Sequence, residues 1–124
     1  MRDYRRLEVW EKSHAFVMDV YRTTVFASPT KQCSDLAGKI KTAAYSIPAH
    51  IIEGCGKLSN RDFCRHLDCA LGSTHEAEYG LILMYELGYL KKEVFEELFS
   101  AIEEIKVMLL AFIKFLRESK RKRF

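Results

Sequence analysis

The chain has 124 residues, 48% of them hydrophobic and 30% charged, which fits one globular domain over residues 1–124 with a short basic C-terminal tail and excludes a disordered chain. Net charge is only +3, but residues 1–6 and 117–124 hold eight of the 20 basic side chains against Asp3 and Glu118, so the positive charge is terminal. Met1 to Leu7 is polar rather than a secretory leader, and the longest apolar run, Val107 to Ile113, is far short of the roughly 20 residues that cross a bilayer, so a soluble cytoplasmic protein with no membrane partner is expected.

Leu7, Trp10, Val17 and Tyr21 recur at a helical period, with His14 and Thr24 filling two steps, and predict a first helix over roughly 5–26. It should stop before Ala27-Ser28-Pro29-Thr30, because Pro29 disfavours helical geometry at Ser28. A second helix is expected over about 34–52, burying Leu36, Ile40, Ala43, Ala44, Ile47 and Ile51. Pro48 lies inside it and cannot donate to the carbonyl of Ala44, so a kink is expected there rather than an end. Ser46 would ease that kink by bonding back to the carbonyl of Thr42. Gly54-Cys55-Gly56 should close the helix through a left-handed cap. Glu53 either fastens the following turn by accepting from the Gly56 or Lys57 amide, or is a solvated carboxylate.

Ser59, with Asp62 three residues on, reads as the cap of a third helix that carries Phe63, Leu67, Ala70, Thr74, Ala77, Leu81 and Met84 or Tyr85. Gly72-Ser73 in its middle suggests a close helix–helix contact, and Leu87-Gly88 ends it. The fourth helix, about Lys92 to Ser119, has one apolar set at Val94, Leu98, Ile102, Ile105, Leu109, Phe112 and Leu116. It has a second at Phe95, Phe99, Met108, Leu110, Ile113 and Phe115. The second set is either a wide core-facing arc or a subunit interface, and a closed cyclic assembly would bury it. No strand pattern competes. Four helices with short connections give an all-α, antiparallel up-down-up-down four-helix bundle.

That topology would gather Arg2, Arg5, Arg6, Lys57, Arg61, Arg65, Lys120, Arg121, Lys122 and Arg123 at one end. At the other, Lys31, Lys91 and Lys92 are offset by Glu93, Glu96 and Glu97. The basic end suits phosphates held by charge neutralisation, although Lys and Arg in a last helical turn also complement the helix dipole and aid solubility. Cys33, Cys55, Cys64 and Cys69 read as reduced and mostly buried. Of the Glu-x-x-His motifs a di-iron bundle requires, only Glu11-Lys12-Ser13-His14 occurs. Cys64, His66 and Cys69 do not share a helix face, and Gly56-Lys57 lacks the rest of a phosphate-binding loop. His75 beside Glu76 points away from it. No catalytic, cofactor-binding or metal-ligating residue is assigned, and the chain is not expected to be an enzyme.

The stretch from Leu36 to Gly54 contains Ser46-Ile47-Pro48 and Glu53-Gly54, which resemble the signature of the bacterial four-helix-bundle proteins encoded in intervening sequences of 23S ribosomal RNA genes. Leu7-Glu8-Val9-Trp10, Ala70-Leu71-Gly72-Ser73 with Glu76 and Glu78, and Leu87-Gly88-Tyr89-Leu90 agree in order, so the resemblance spans nearly the whole chain. It departs at Lys39 (often Gln), His50 (usually Asn) and Ile52 (usually Ala). The resemblance implies a homopentameric barrel of bundles without catalytic residues. It also implies a relation in fold to accessory variability determinants of diversity-generating retroelements, in which a basic pentamer binds reverse transcriptase and nucleic acid. Self-assembly with an RNA or ribonucleoprotein partner is the expected function; the alternative is a protein-binding scaffold such as an accessory subunit of a retroelement reverse transcriptase.

Overall fold

The computed structural model describes residues 2–23 and 30–121, the last two as backbone. A short 3-10 turn, Tyr4–Arg6, precedes four helices: α1 (Glu8–Arg22), α2 (Lys31–Cys55), α3 (Asn60–Glu86) and α4 (Lys92–Arg121). No strand occurs among the described residues. Helix α1 ends at Arg22, with Thr23 in extended backbone, short of the expected bound at 26, and the expected stop at 27–29 lies outside the described residues.

The first helix starts later than its periodicity suggests. Asp3 caps the 3-10 turn by accepting from the Arg5 amide at 3.0 Å, and Leu7 then adopts extended backbone, so Arg5 and Arg6 stand before α1 rather than in it. The buried face of α1 is Val9, Ser13, Phe16 and Val20. The predicted stripe is rotated to the helix edge, with Leu7, Trp10 and Val17 half-buried and Tyr21 exposed. Ser13 is tolerated in the core because its hydroxyl donates to the Trp10 carbonyl at 2.9 Å.

Helix α2 begins before and ends after its predicted bounds, and it continues through the buried Pro48. The expected Ser46 bond is not formed; the hydroxyl that bonds back is Thr42, to the Gly38 carbonyl at 2.9 Å. Nor is a left-handed glycine needed at its end, since Gly56 has right-handed φ −80°. That device appears instead after α3. Gly88 has φ +82°, and the Gly88 and Tyr89 amides donate to the Tyr85 and Met84 carbonyls at 3.0 and 2.8 Å, a complete Schellman cap. At the other end of α3, Ser59 accepts from the Asp62 amide at 3.1 Å, as its sequence predicts.

Each helix packs on its two neighbours in a closed circuit (α1 on α2, α2 on α3, α3 on α4, α4 on α1), while the diagonal backbones stay apart among the described residues. One continuous core fills the centre, led by Phe16, Ile40, Ile47, Ile51, Phe63, Leu67, Leu81, Met84, Ile102, Ile105 and Leu109. Each such side chain withdrawn from water contributes roughly 1.5–3 kcal/mol, which makes this core the main support of the fold.

The register is fixed by specific pairs. Ile40 of α2 meets Gly80 of α3, and Phe63 meets Gly54. Asp68 and Glu78 of α3 pair with Arg117 and Lys106 of α4 at 3.3 and 2.6 Å. Lys12 of α1 lies 3.4 Å from Glu104 of α4, and Lys41 of α2 covers the Tyr21 ring of α1. The close α2–α3 approach occurs at Gly54 and Gly80, where an added Cβ would come within 2.7 Å of Phe63 and 2.5 Å of Ile40. Gly72, expected to mark that contact, faces open space, and its neighbour Ser73 is buried with its hydroxyl on the Cys69 carbonyl at 3.2 Å.

The apolar residues of α4 divide differently from the expected two faces. Ile113 is only 4% exposed and belongs to the core, because it falls four residues after Leu109 and three before Leu116 on the buried stripe. Phe95, Phe99 and Met108 are half-buried, with Phe95 stacked on Tyr85 of α3 at 4.5 Å between centroids. Only Leu110 and Phe115 of the second set stand in solvent, at 53% and 64% exposure, joined by Val107 at 65%. Among the described residues, no helix is long and apolar enough to cross a membrane.

Candidate nucleic-acid interface

The residues before α1 are stitched to the turn between α2 and α3. The Arg2 amide donates to the Cys55 carbonyl at 3.0 Å, its guanidinium donates to Asn60 Oδ1, and its charge lies 4.5 Å above the Phe63 ring. Arg2 therefore works as a fastener, held by one guanidinium hydrogen bond and its stacking on Phe63. It also acts on Cys55: burial pushes that thiol up, and the Arg2 charge opposes the shift only in part. A neutral buried thiol is a poor nucleophile. Of the four cysteines, only Cys69 is exposed.

Around this fastening the basic residues are mostly available. Arg5 packs over the Tyr4 ring, while Arg6 and Lys57 are exposed. Arg61, Arg65 and Arg117 line one cleft of about 410 Å³ with Asn60, Cys64, Asp68 and Leu116. Arg65 leans on Asp62 at 3.4 Å and Arg117 on Asp68 at 3.3 Å. These are exposed pairs, so they orient the guanidiniums more than they stabilise the fold. A guanidinium has five donors, and one carboxylate contact leaves several free for a phosphate.

Arg61 and Arg65, both expected at the basic end, line the same cleft, and Arg117, which the sequence analysis counted among the terminal basic residues but not in that group, joins them. The available signal was its position one turn before the basic tail. Lys122 and Arg123, and the side chains of Lys120 and Arg121, lie outside the described residues.

A second cluster was missed altogether. The ligating atoms of His50, Glu53 and His66 lie within 4.8 Å of one another, the one such group of three His, Cys, Asp or Glu among the described residues. Glu53 does not fasten the turn with its side chain, because the Gly56 and Lys57 amides donate to the backbone carbonyls of Glu53 and Gly54 instead. Its carboxylate faces His66 Nδ1 at 3.5 Å. The search for Glu-x-x-His passed over the reverse order, His50-x-x-Glu53, which shares a helix face equally well.

The structure defines an all-helical protein of four helices around one core, with a cleft of arginines beside its α2–α3 turn. The chain belongs to the 23S rRNA-intervening sequence protein family, whose model matches residues 5–111. It is similar to the crystal structure of a protein of unknown function from the S23 ribosomal protein family of Bacteroides thetaiotaomicron, with TM-score 0.79, 28% identity, and coverage of 86% of this chain and 95% of that one. None of the curated proteins matches.

Proposed function

We propose that the chain is a non-catalytic, self-assembling adaptor whose basic end contacts RNA or a ribonucleoprotein. The carrying observation is the convergence of Arg61, Arg65 and Arg117 on a single cleft beside the exposed Arg6 and Lys57. The helix pairings support the expected antiparallel, up-down-up-down order, in which the end of α4 meets the start of α3, as the Arg117–Asp68 pair does. Charge without a base-reading motif favours backbone contacts, so recognition rests on RNA shape and counterion release rather than sequence. Assembly into a ring, pentameric by family resemblance, would place several such clefts side by side.

The test is binding of structured RNA by fluorescence anisotropy over a salt series. Wild type is expected to bind with steep salt dependence. Reversing Arg61, Arg65 and Arg117 to Glu, or Arg121, Lys122 and Arg123 to Glu, should weaken binding and flatten the slope, each lost phosphate contact removing about 0.7–0.9 from it. Absence of salt-sensitive binding by wild type would overturn the RNA reading. The exposed stripe of Val107, Leu110 and Phe115 favours one other reading, a protein-binding scaffold such as an accessory subunit of a retroelement reverse transcriptase. Co-purification with a protein partner that survives nuclease treatment would select it.

A further inference from the structure

We propose that His50, Glu53 and His66 form a binding site for a divalent transition-metal ion of the zinc class, cross-linking α2 to α3. His50 and Glu53 are three residues apart on α2 and project from one face. His66 comes from α3, and the absent side chain of Gly54 lets it approach, since an added Cβ there would sit 3.1 Å from the His66 Cβ. The three ligating atoms already lie within 4.8 Å of one another. His66 Nδ1 and the Glu53 carboxylate are 3.5 Å apart. That is too long for a charge-assisted hydrogen bond, which closes to about 2.7–2.9 Å. It is close to the separation of about 3.3 Å that two ligands take on a tetrahedral ion with bonds near 2.05 Å.

The polar atoms point the same way. Nδ1 of His50 and Nδ1 of His66 are both buried without a hydrogen-bond partner among the described residues. The rings are 6.0 Å apart and tilted by 34°, so they do not stack on each other. Two buried imidazole nitrogens without hydrogen-bond partners, one of them 3.5 Å from a carboxylate, are a donor set of the kind that suits zinc and its neighbours. The Glu53 side chain is 59% exposed, which gives water access to the fourth coordination position. A pair at the 4.8 Å limit would need to close by about 1.5 Å to reach that tetrahedral separation.

The chief rival ligand is thiolate, because Cys69 is exposed. The full chain, freed of metal by chelation, is titrated with Zn²⁺ by calorimetry and with Co²⁺ by visible absorption. One ion per chain is expected, with tetrahedral cobalt bands, no thiolate charge-transfer band and a higher melting temperature in the metal-bound form. His50→Asn, which installs the residue usual in the family pattern, His66→Gln and Glu53→Gln should each weaken Zn²⁺ binding by roughly tenfold or more. Glu53→Gln decides the matter alone if a histidine variant misfolds, since that position is exposed. No Zn²⁺ binding, a thiolate band, or unchanged affinity in Glu53→Gln would each overturn the proposal.

Discussion

Gly72 and Gly80 lie two turns apart on α3, and a methyl group has opposite consequences at the two positions. At Gly80 the new carbon would fall 2.5 Å from Ile40 Cγ1 and 3.2 Å from its Cδ1. Ile40 is fully buried and β-branched, so it has no free rotamer to retreat into. Gly80→Ala should therefore cost about 1–3 kcal/mol through overpacking. Gly72 has nothing within 4 Å of the same carbon. There the helix simply exchanges a floppy residue for the best helix former, and Gly72→Ala should gain up to about 1 kcal/mol. Denaturant unfolding of the two variants measures both signs. Equal effects would mean that α2 and α3 are not held at the spacing described.

At the scale of the elements, α3 and α4 are fastened by Lys106, which donates to Glu78 at 2.6 Å and lies 3.0 Å from Glu103. The hydrogen bond to Glu78, then that to Glu103, raises the lysine above its ordinary value of 10.5. Glu103 is lowered below 4.5, first by its hydrogen bond with Lys106. A raised lysine contributes stability that is complete below its unfolded value and lost as pH climbs through the folded one. A depressed glutamate contributes stability that is present above its unfolded value and lost as pH falls through the folded one. The melting-temperature gap between wild type and Lys106→Met should thus be widest near neutrality and close at both extremes. A gap independent of pH would assign Lys106 to packing of its aliphatic stem alone. The elements themselves were legible because each apolar stripe repeats at a helical period, and α3 is punctuated by the Ser59 hydroxyl at its start and by Gly88, free of a Cβ at positive φ, at its end. The face of α1 was not, since Leu7, Trp10 and Val17 repeat at the same helical period as Val9, Phe16 and Val20, and the latter set takes the core while the former sits at its edge. Nor were contacts such as Glu53 with His66, or Asp68 with Arg117. Those depend on the register between two helices, which periodicity within either one does not specify.

For the whole molecule, the decisive surface is the α4 stripe of Val107, Leu110 and Phe115. At about 100° per residue the three spread over an arc of roughly 140° on the outer side of α4, with Ala111 and Lys114 between them. The stripe is narrower than the sequence suggested, because Ile113 turns inward and Phe95 and Phe99 are partly covered by the chain itself. A narrow stripe still favours a ring, in which each copy need bury only one strip against each neighbour. Light scattering at micromolar concentration should therefore give a mass several times the 14.4 kDa chain. Leu110→Glu with Phe115→Glu should return it to a single chain with little change in unfolding midpoint, because neither side chain is in the core. The same variant tests how assembly bears on function. Under the proposed function, clefts joined in one ring would act on RNA together, and avidity multiplies single-site affinity by roughly 10²–10⁴ when the geometry permits. The monomeric variant keeps Arg61, Arg65 and Arg117 intact. Its RNA affinity should nonetheless fall by a factor of that order, and an affinity equal to wild type would show that each cleft acts alone.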